Sequence, residues 1–448
     1  MTKRLSGSSF FFDRVVLGHP KTVILCVLMA VGFLMFQARN FRLDASAETL
    51  VLENDEDLRY SRMISSRYGD QDFLVLAYTP REDLLSPKTL DSIARLRDGL
   101  KSLDNVESVL SILDVPLLES PPVSLRDVSG VLATLETTTV DKELARAELR
   151  NSPLYKNLLV SSDLKTTALL INFKEDRHYH DLLQRRNELR QKKASGQLSL
   201  QENVELSRVM EEFRQYRDKA RKQRHWDILM IRSVMNNYRE DADLFLGGIS
   251  MIADDMISFI ENDLTIFGVG VLLFLIITLG VIFRRLRWVC LPILFCLVSV
   301  ICMVGLLGWF GWEVTVISSN FISLQLIMTM AIAIHLIVRY RELLAQNPEE
   351  SNRRLILNTV LVKLKPCVYA VLTTIAGFGS LVLCDILPVI TFGWMMIAGL
   401  IVSLIVTFML FPALLVLMPK VAPSVIREGR FSPTSILARF TEARGLLI

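Results

Sequence analysis

The sequence has little cysteine and little histidine for its length, with six Cys and five His among 448 residues. All of the cysteines lie in or beside long apolar runs: Cys26, Cys290, Cys296, Cys302, Cys367 and Cys384. The polar region between residues 39 and 263 must therefore fold without disulfide bonds. The nearest approach to metal-ligand spacing, His178 and His180, is interpreted as part of a solvated loop, and no metal site is predicted.

A strong charge of one sign is also absent, since the formal net charge is only +3. This balance gives no indication of a nucleic-acid partner. No nucleophile paired with a base and no nucleotide-binding loop is found, so the sequence predicts neither an enzyme nor a bound cofactor.

Long apolar runs are what the chain has in abundance, and 51% of its residues are hydrophobic. Runs of about 20 nearly uncharged residues are long enough to cross a bilayer. We predict six spans, near residues 22–38, 264–283, 288–310, 314–338, 366–384 and 389–418. The first is interpreted as a retained anchor because "MFQARNFRLD" after it lacks a small-residue cleavage pattern.

The basic residues predict the orientation of these spans. Lys and Arg precede the first span and occupy the connections between spans two and three and between spans four and five. The opposite short loops, 311–313 and 385–388, contain acids but no Lys or Arg. The positive-inside rule then places the N-terminus in the cytoplasm and residues 39–263 on the periplasmic side.

The large outer region has the pattern of a small α+β domain. Residues 70–80 alternate like a strand, 86–103 follow as a helix capped by Ser86 with Pro87 in its first turn, and 105–113 return as a strand. This is the opening of a split βαβ unit. We expect a second copy from a hairpin around Ser162 and Asp163, a helix near 227–240 and a strand at 243–250.

Residues 177–225 interrupt this pattern. They are dense in Arg, Lys, Glu and Gln, with "ASGQLS" (194–199) as a turn between two helical runs. Sparse apolar positions predict a helical hairpin with one narrow buried seam. A solvated extension that packs on itself is the preferred interpretation, and a docking surface for a periplasmic protein is the alternative.

Several stretches resemble half of a transporter of the resistance-nodulation-division (RND) superfamily, in its MMPL-like, Patched-like branch. They are "LLSPKTLDSIARLRDGLKSLDNVESVLSILDVP" (84–116), "LFLGGISMIADDMISFIENDLTIFG" (244–268), "AIHLIVRYRE" (333–342), "AVLTTIAGFGSLVL" (370–383) and "PVITFGWMMIAGLIVSLIVTFMLFPALLVL" (388–417).

The resemblance implies a polytopic α-helical membrane protein with six transmembrane helices and a periplasmic α+β ferredoxin-like domain that carries the hairpin insertion. The expected segments are 1–38 (N-terminus and first span), 39–263 (periplasmic domain), 264–418 (spans two to six) and 419–448 (linker and start of a seventh span).

Family members usually contain two such halves. Here "SILARFTEARGLLI" (435–448) is similar to "FFDRVVLGHPKTVI" (11–24), as if a second half were beginning. We therefore expect the N-terminal half of a longer protein. The alternative is a half-size subunit that assembles with copies of itself.

The fourth span departs from the family pattern. By similarity, an Asp-Tyr pair that carries protons would stand at Ala331 and Ile332, yet both are apolar here. Only His335 titrates in this helix, and it is interpreted chiefly as a packing or interfacial residue rather than a proton relay. Ion coupling is accordingly expected in the missing half.

Other polar residues in the spans are candidates for a transport path or for hydrogen bonds between helices. In and before span four these are Ser318, Ser319, Asn320, Ser323, Gln325 and Thr329. In span five, Thr373, Gly377 and Ser380 favour close helix contact. Hydrogen bonding between helices is the preferred interpretation for both groups, whereas Asp254, Asp255, Glu261 and Asp263 are interpreted as a solvated helix end.

The resemblance implies an inner-membrane exporter of hydrophobic or amphiphilic molecules, with lipids as the expected cargo. Its partners would be membrane lipids, the cargo, and a second half or a second copy. The alternative function is a non-transporting lipid sensor or scaffold that binds a periplasmic partner.

Overall fold

The computed structural model describes residues 7–43, 60, 64, 72–119, 133–137 and 140–420. These residues divide into two compact units, one formed by Met1–Leu52 with Phe259–Ile448 and the other by Glu53–Ser258. The tail similarity at 435–448 lies outside the described residues.

The main elements alternate strands and helices before the final run of helices. In chain order they are α1 (Pro20–Gln37), β1 (Phe73–Pro80), α2 (Pro87–Lys101), β2 (Val106–Leu110), α3 (Lys142–Asn151), β3 (Thr167–Phe173), α4 (Arg177–Ala194), α5 (Leu200–Asn236), β4 (Ala242–Gly247), α6 (Ile249–Phe283), α7 (Leu286–Phe310), α8 (Phe321–Gln346), α9 (Asn352–Ser380) and α10 (Leu387–Leu417). A short helix, Gly7–Phe10, and a π-helical turn, Phe11–Val16, precede α1.

Six helices within the described part of the chain are long and apolar enough to cross a membrane, which confirms the number of predicted spans. They are α1 with the turn after it, α6, α7, α8, α9 with the turn after it, and α10. The predicted start of one span was wrong. α8 begins at Phe321 rather than 314, because the Ser318 hydroxyl accepts a hydrogen bond from the Thr315 N–H (2.8 Å) and fixes a turn there. α6 and α9 begin at Ile249 and Asn352, before the predicted spans at 264 and 366, since their polar first turns are also helical.

Helices α7, α8 and α10 form the centre of the membrane unit. About half of each apolar run is buried (50–56%), against 11% for α6 and α9. Gly305 and Gly308 of α7 allow α1 to pack closely, because a Cβ at either position would overlap the backbone carbonyl of Leu34 or Gln37. Substituting either glycine would therefore push α1 away from the centre of this unit.

The second unit contains an antiparallel sheet of four strands in the order β2-β3-β1-β4. One face of the sheet is covered by α2 and by the last turns of α5, whose side chains form one core with Leu74 and Leu76 of β1. The Ser86 hydroxyl caps α2 by accepting a hydrogen bond from the Thr89 N–H (3.2 Å), as its sequence predicts.

The expected second copy is present in part. No separate helix occupies 227–240, because α5 runs unbroken from Leu200 to Asn236, out of the charged segment and into the core. The chain does reverse around Ser162 and Asp163, but the hairpin is short: an antiparallel bridge joins Val160 to Thr167, and the Ala168 N–H donates to the Leu159 carbonyl (2.8 Å). The rest of β3 pairs with β1 and β2.

In the charged segment 177–225, helices α4 and α5 pack side by side. Their seam is a small cluster of its own, formed by Leu189, Leu206 and Val209 and distinct from the core beneath the sheet. A capping box begins α5, in which Ser199 and Glu202 bond each other's backbone N–H. Lys192 of α4 also binds Glu202 (2.6 Å) and lowers the pKa of that carboxyl to about 2.

Candidate functional site

The amide of Gln325, on α8, is the centre of a buried polar cluster between three helices. Its Nε2 atom lies 2.7 Å from Ser299 Oγ on α7, 2.8 Å from Ser403 Oγ on α10 and 2.8 Å from the carbonyl oxygen of Gly399, also on α10. Only 2% of Gln325 is exposed. One side chain thus joins the three central helices of the membrane unit.

Hydroxyl groups extend the cluster on both sides of the amide. Thr329 Oγ1 lies 2.8 Å from Ser403 Oγ and donates to the Gln325 carbonyl (2.7 Å), while Ser299 Oγ lies 3.2 Å from Ser403 Oγ. Ser299, Thr329 and Ser403 are completely buried. Each hydroxyl can donate and accept, so the three hydroxyls and the Gln325 amide N–H groups find partners within the cluster.

Local sequence explains why the amide fits. Gly399 has no side chain, and a Cβ there would collide with Oε1 of Gln325. No described residue outside the cluster bonds the amide. In a bilayer, hydrogen bonds between helices contribute about 0.6 kcal/mol each on average.

The chemistry of the cluster is limited to hydrogen bonding. None of its members, Gln325, Thr329, Ser299 and Ser403, titrates near neutral pH, so it cannot take up and release a proton. Thr407, one turn beyond Ser403, is completely buried, and its hydroxyl has no partner among the described residues.

The other predicted residues before and within α8 have separate positions. Ser318 and Ser319 are buried and bond the turn before the helix, with Ser319 donating to the Val316 carbonyl (2.9 Å). Asn320 is exposed at the start of α8, and Ser323 is half-buried. Of the predicted set, the structure therefore brings only Gln325 and Thr329 into the cluster.

The positions of the family's proton-carrying pair lie on different sides of α8. Ala331 is exposed and Ile332 is buried. His335, one turn beyond Ala331, is also exposed and has no hydrogen-bond partner among the described residues. Ile327 and Val338 continue this exposed face. The described chain does not cover the side of α8 on which an acid at position 331 would stand.

The expected close helix contact through span five is not formed within the described part of this chain. Thr373, Gly377 and Ser380 of α9 are all exposed, and space is open around the Cα of Gly377. Thr373 and Ser380 bond the carbonyls of Ala370 and Gly377 in their own helix (2.8 and 2.7 Å). Because those bonds are internal, these residues do not join α9 to a neighbour.

The interpretation of Asp254 and Asp255 as a solvated helix end was also wrong. The Asp254 carboxylate is 8% exposed and lies 2.9 and 3.0 Å from Nδ1 of His225, on α5. Asp255 accepts two bonds from Nη2 of Arg232 (2.8 and 2.9 Å), and this interaction raises the pKa of Arg232. These pairs attach the end of α5 to the first turns of α6.

Ser299, Gly399 and Ser403 were not identified from the sequence. Their signal is weak, because each is a single small residue in an apolar run. A hydroxyl at the right depth in another span could have been matched to Gln325 only if the packing of the helices were known.

The six apolar helices and their buried interhelical cluster define a multi-pass α-helical membrane protein. The MMPL family model matches residues 215–438, from the middle of α5 to beyond α10. The chain belongs to the MMPL family, whose members are RND-type transporters. No curated protein matches the chain.

Proposed function

We propose that this chain is one half of an RND-type inner-membrane exporter of hydrophobic or amphiphilic molecules, with lipids as the cargo. Membership of the MMPL family carries the proposal. The sheet order β2-β3-β1-β4 supports a ferredoxin-like outer domain, because split βαβ units of that class place their first and third strands at the centre.

The exposed face of α8 supports the need for a second half. Ala331 and His335 lie on this face together with the apolar Ile327 and Val338. A second set of spans that packed there would cover the face and could supply an acid opposite Ala331. Because the Gln325 cluster has no titratable member, proton coupling is assigned to that second half, and this half serves as its scaffold.

A transport assay on the complete protein tests the proposal. Everted vesicles with an imposed proton gradient should move a fluorescent lysophospholipid, and His335→Ala should keep at least about half of the rate, since its side chain has no partner among the described residues. No gradient-dependent movement by a folded, inserted protein would favour a lipid sensor or scaffold. Loss of movement in His335→Ala alone would instead assign coupling to this half.

Labelling of single cysteines tests the orientation. Ser162, in the outer unit, and Ser351, before α9, are both exposed and can be replaced by Cys in a background without accessible thiols. We expect an impermeant maleimide to label only Ser162→Cys in intact spheroplasts, because the basic connections mark the cytoplasmic side. Labelling of only Ser351→Cys would reverse the orientation.

A further inference from the structure

The connection between α6 and α7 carries three arginines in four residues. α6 ends at Phe283 and α7 begins at Leu286, so Arg284 and Arg285 form the whole connection, and Arg287 stands in the first turn of α7. Arg284 has a left-handed φ of 51°, with which the chain reverses in these two residues. None of the three arginines has an ion-pair partner among the described residues. Positive charge is therefore concentrated at one end of the membrane unit without a carboxylate to balance it.

Arg287 is held in place through one side of its guanidinium. Its Nη1 donates to the carbonyl of Pro419, just after α10 (2.7 Å), and its Cζ lies 5.2 Å from the centre of the Trp288 ring. Trp288 is buried, and its ring packs against Tyr340 of α8 (5.8 Å between ring centres). These contacts fix Arg287 where the ends of α7, α8 and α10 meet.

The opposite edge of this guanidinium lacks a partner in the described part of the chain. Nε and Nη2 of Arg287 are both buried, and no described residue accepts a hydrogen bond from either. These two atoms form the edge with which arginine binds two oxygens of one anion. Arginine also stays charged in proteins, so Arg287 cannot remove the cost of two buried donors by losing a proton. An anion with two oxygens at this edge would remove that cost.

The surroundings of Arg287 are those of a membrane surface. The apolar run of α7 begins at the next residue, Trp288, so the guanidinium lies at the end of the span, at the level of lipid headgroups. Exposed apolar side chains begin beside it, at Ile282 of α6 and at Leu286 and Leu294 of α7. A lipid with its phosphate at Arg287 would place its acyl chains against this apolar surface.

We propose that the α6–α7 connection binds the phosphate of an anionic phospholipid. Nε and Nη2 of Arg287 bind two phosphate oxygens, and Arg284 and Arg285 add positive charge around them. No side chain caps α7 at Arg285, so the first backbone N–H groups of this helix also favour an anion. Because Nε and Nη2 are shielded in the fold, the phosphate enters as the groups that cover them move aside.

A phosphate carried by a lipid is favoured over free phosphate, because the acyl chains cover exposed apolar surface that free phosphate leaves in water. The site lies within the membrane unit alone. It depends on insertion into a bilayer and is independent of the proposed export.

Arg354 supplies a matched control. It is an exposed arginine in the first turn of α9, and it already has an acid partner in Glu350 (3.4 Å). Arg354→Gln removes the same charge from the membrane unit as Arg287→Gln does, but it removes no buried donor. A loss of lipid binding in the Arg287 variant alone therefore comes from the site and not from the total charge.

The experiment measures binding to the purified full chain by native mass spectrometry. Phosphatidylglycerol, phosphatidylcholine and inorganic phosphate are added in separate titrations. We expect one phosphatidylglycerol to bind more tightly than either of the others. Arg287→Gln should lower its association constant about tenfold, since two charge-assisted hydrogen bonds are lost. Arg287→Lys, which keeps the charge but not the two-donor edge, should lower it about fivefold, whereas Arg354→Gln should change it by about twofold at most.

A photoreactive lipid supplies a second measurement that needs no variant. Phosphatidylglycerol with a diazirine in its headgroup should crosslink to the wild-type chain within residues 283–290. Thermal unfolding checks that the Arg287 and Arg354 variants are folded.

Four results would overturn the proposal. Unchanged binding of phosphatidylglycerol to folded Arg287→Gln would show that this guanidinium does not hold the phosphate. Equal losses in Arg287→Gln and Arg354→Gln would show an effect of surface charge only. Binding of inorganic phosphate without binding of phosphatidylglycerol would exclude the lipid as the ligand. Crosslinks confined to residues outside 283–290 would place the lipid elsewhere.

Discussion

The Gln325 cluster predicts a specific coupling between Gln325 and Gly399. Gly399→Ala places a methyl group where Oε1 of Gln325 now lies, so the amide must move and give up bonds to Ser299 and Ser403. Overpacking of this kind typically costs about 1–3 kcal/mol. The amide cannot move far without cost, because it is 2% exposed among three packed helices.

Gln325→Ala removes the same bonds by a different route. The amide has two N–H groups, so it can donate two full hydrogen bonds to its three acceptors. An interhelical hydrogen bond contributes about 0.6 kcal/mol on average and at most about 1.7 kcal/mol, so the loss of two bonds costs about 1–3 kcal/mol. A cavity adds to this cost. In the double variant, however, the methyl group added at position 399 enters the space that the amide left. We therefore expect the two costs to fall short of additivity by about 1–2 kcal/mol.

Equilibrium unfolding in mixed dodecylmaltoside and SDS micelles, followed by tryptophan fluorescence, measures the cycle. Gly377→Ala is the control: nothing surrounds this glycine of α9, so the substitution should be neutral or should stabilise the protein by up to about 1 kcal/mol. Additive effects of Gln325→Ala and Gly399→Ala, within about 0.5 kcal/mol, would refute the contact between amide and glycine. So would a Gly399→Ala variant as stable as Gly377→Ala.

Two further predictions concern the second unit. The pKa of Glu202 is lowered to about 2 from its ordinary value of 4.5, so its bonds at the start of α5 stabilise the folded state above pH 4.5 and are lost as the pH falls towards 2. Amide hydrogen exchange at residues 200–204 should therefore rise as the pH falls from 4.5 to 2. Glu202→Gln should abolish this pH dependence. Asp254→Asn should weaken the attachment of α5 to α6 by about 1–3 kcal/mol, because it weakens the bond to His225. Amide hydrogen exchange in the first turns of α6 should then rise. Glu261→Gln, a change at an exposed residue of the same helix, should have little effect on this exchange.

The local features of this protein could be predicted from the sequence because their causes are local. A membrane span requires only a long apolar run, and all six were identified from hydropathy. Ser86 and Pro87 predicted the start of α2, since capping depends on neighbouring backbone N–H groups. Residues 314–320 were misassigned, because polarity alone does not determine where a helix begins.

The partners of the polar residues were decided by tertiary structure. Gln325 and Thr329 were recognised as candidates for bonding between helices, but Ser299 and Ser403 are 26 and 78 residues away from Gln325. Thr373 has the same polar character as Thr329, yet it bonds only its own helix, because no neighbour within the described chain covers that face of α9.

The partners of charged residues outside the spans were equally hard to predict from the sequence. From the sequence, Asp254 was interpreted as part of a solvated helix end. In the fold, α5 places His225, 29 residues away in the sequence, within hydrogen-bonding distance of it. The sequence determined which residues are apolar, polar or charged and which segments are helical, since those properties act between near neighbours. The fold alone decided which of these groups meet, because such contacts depend on how distant helices pack.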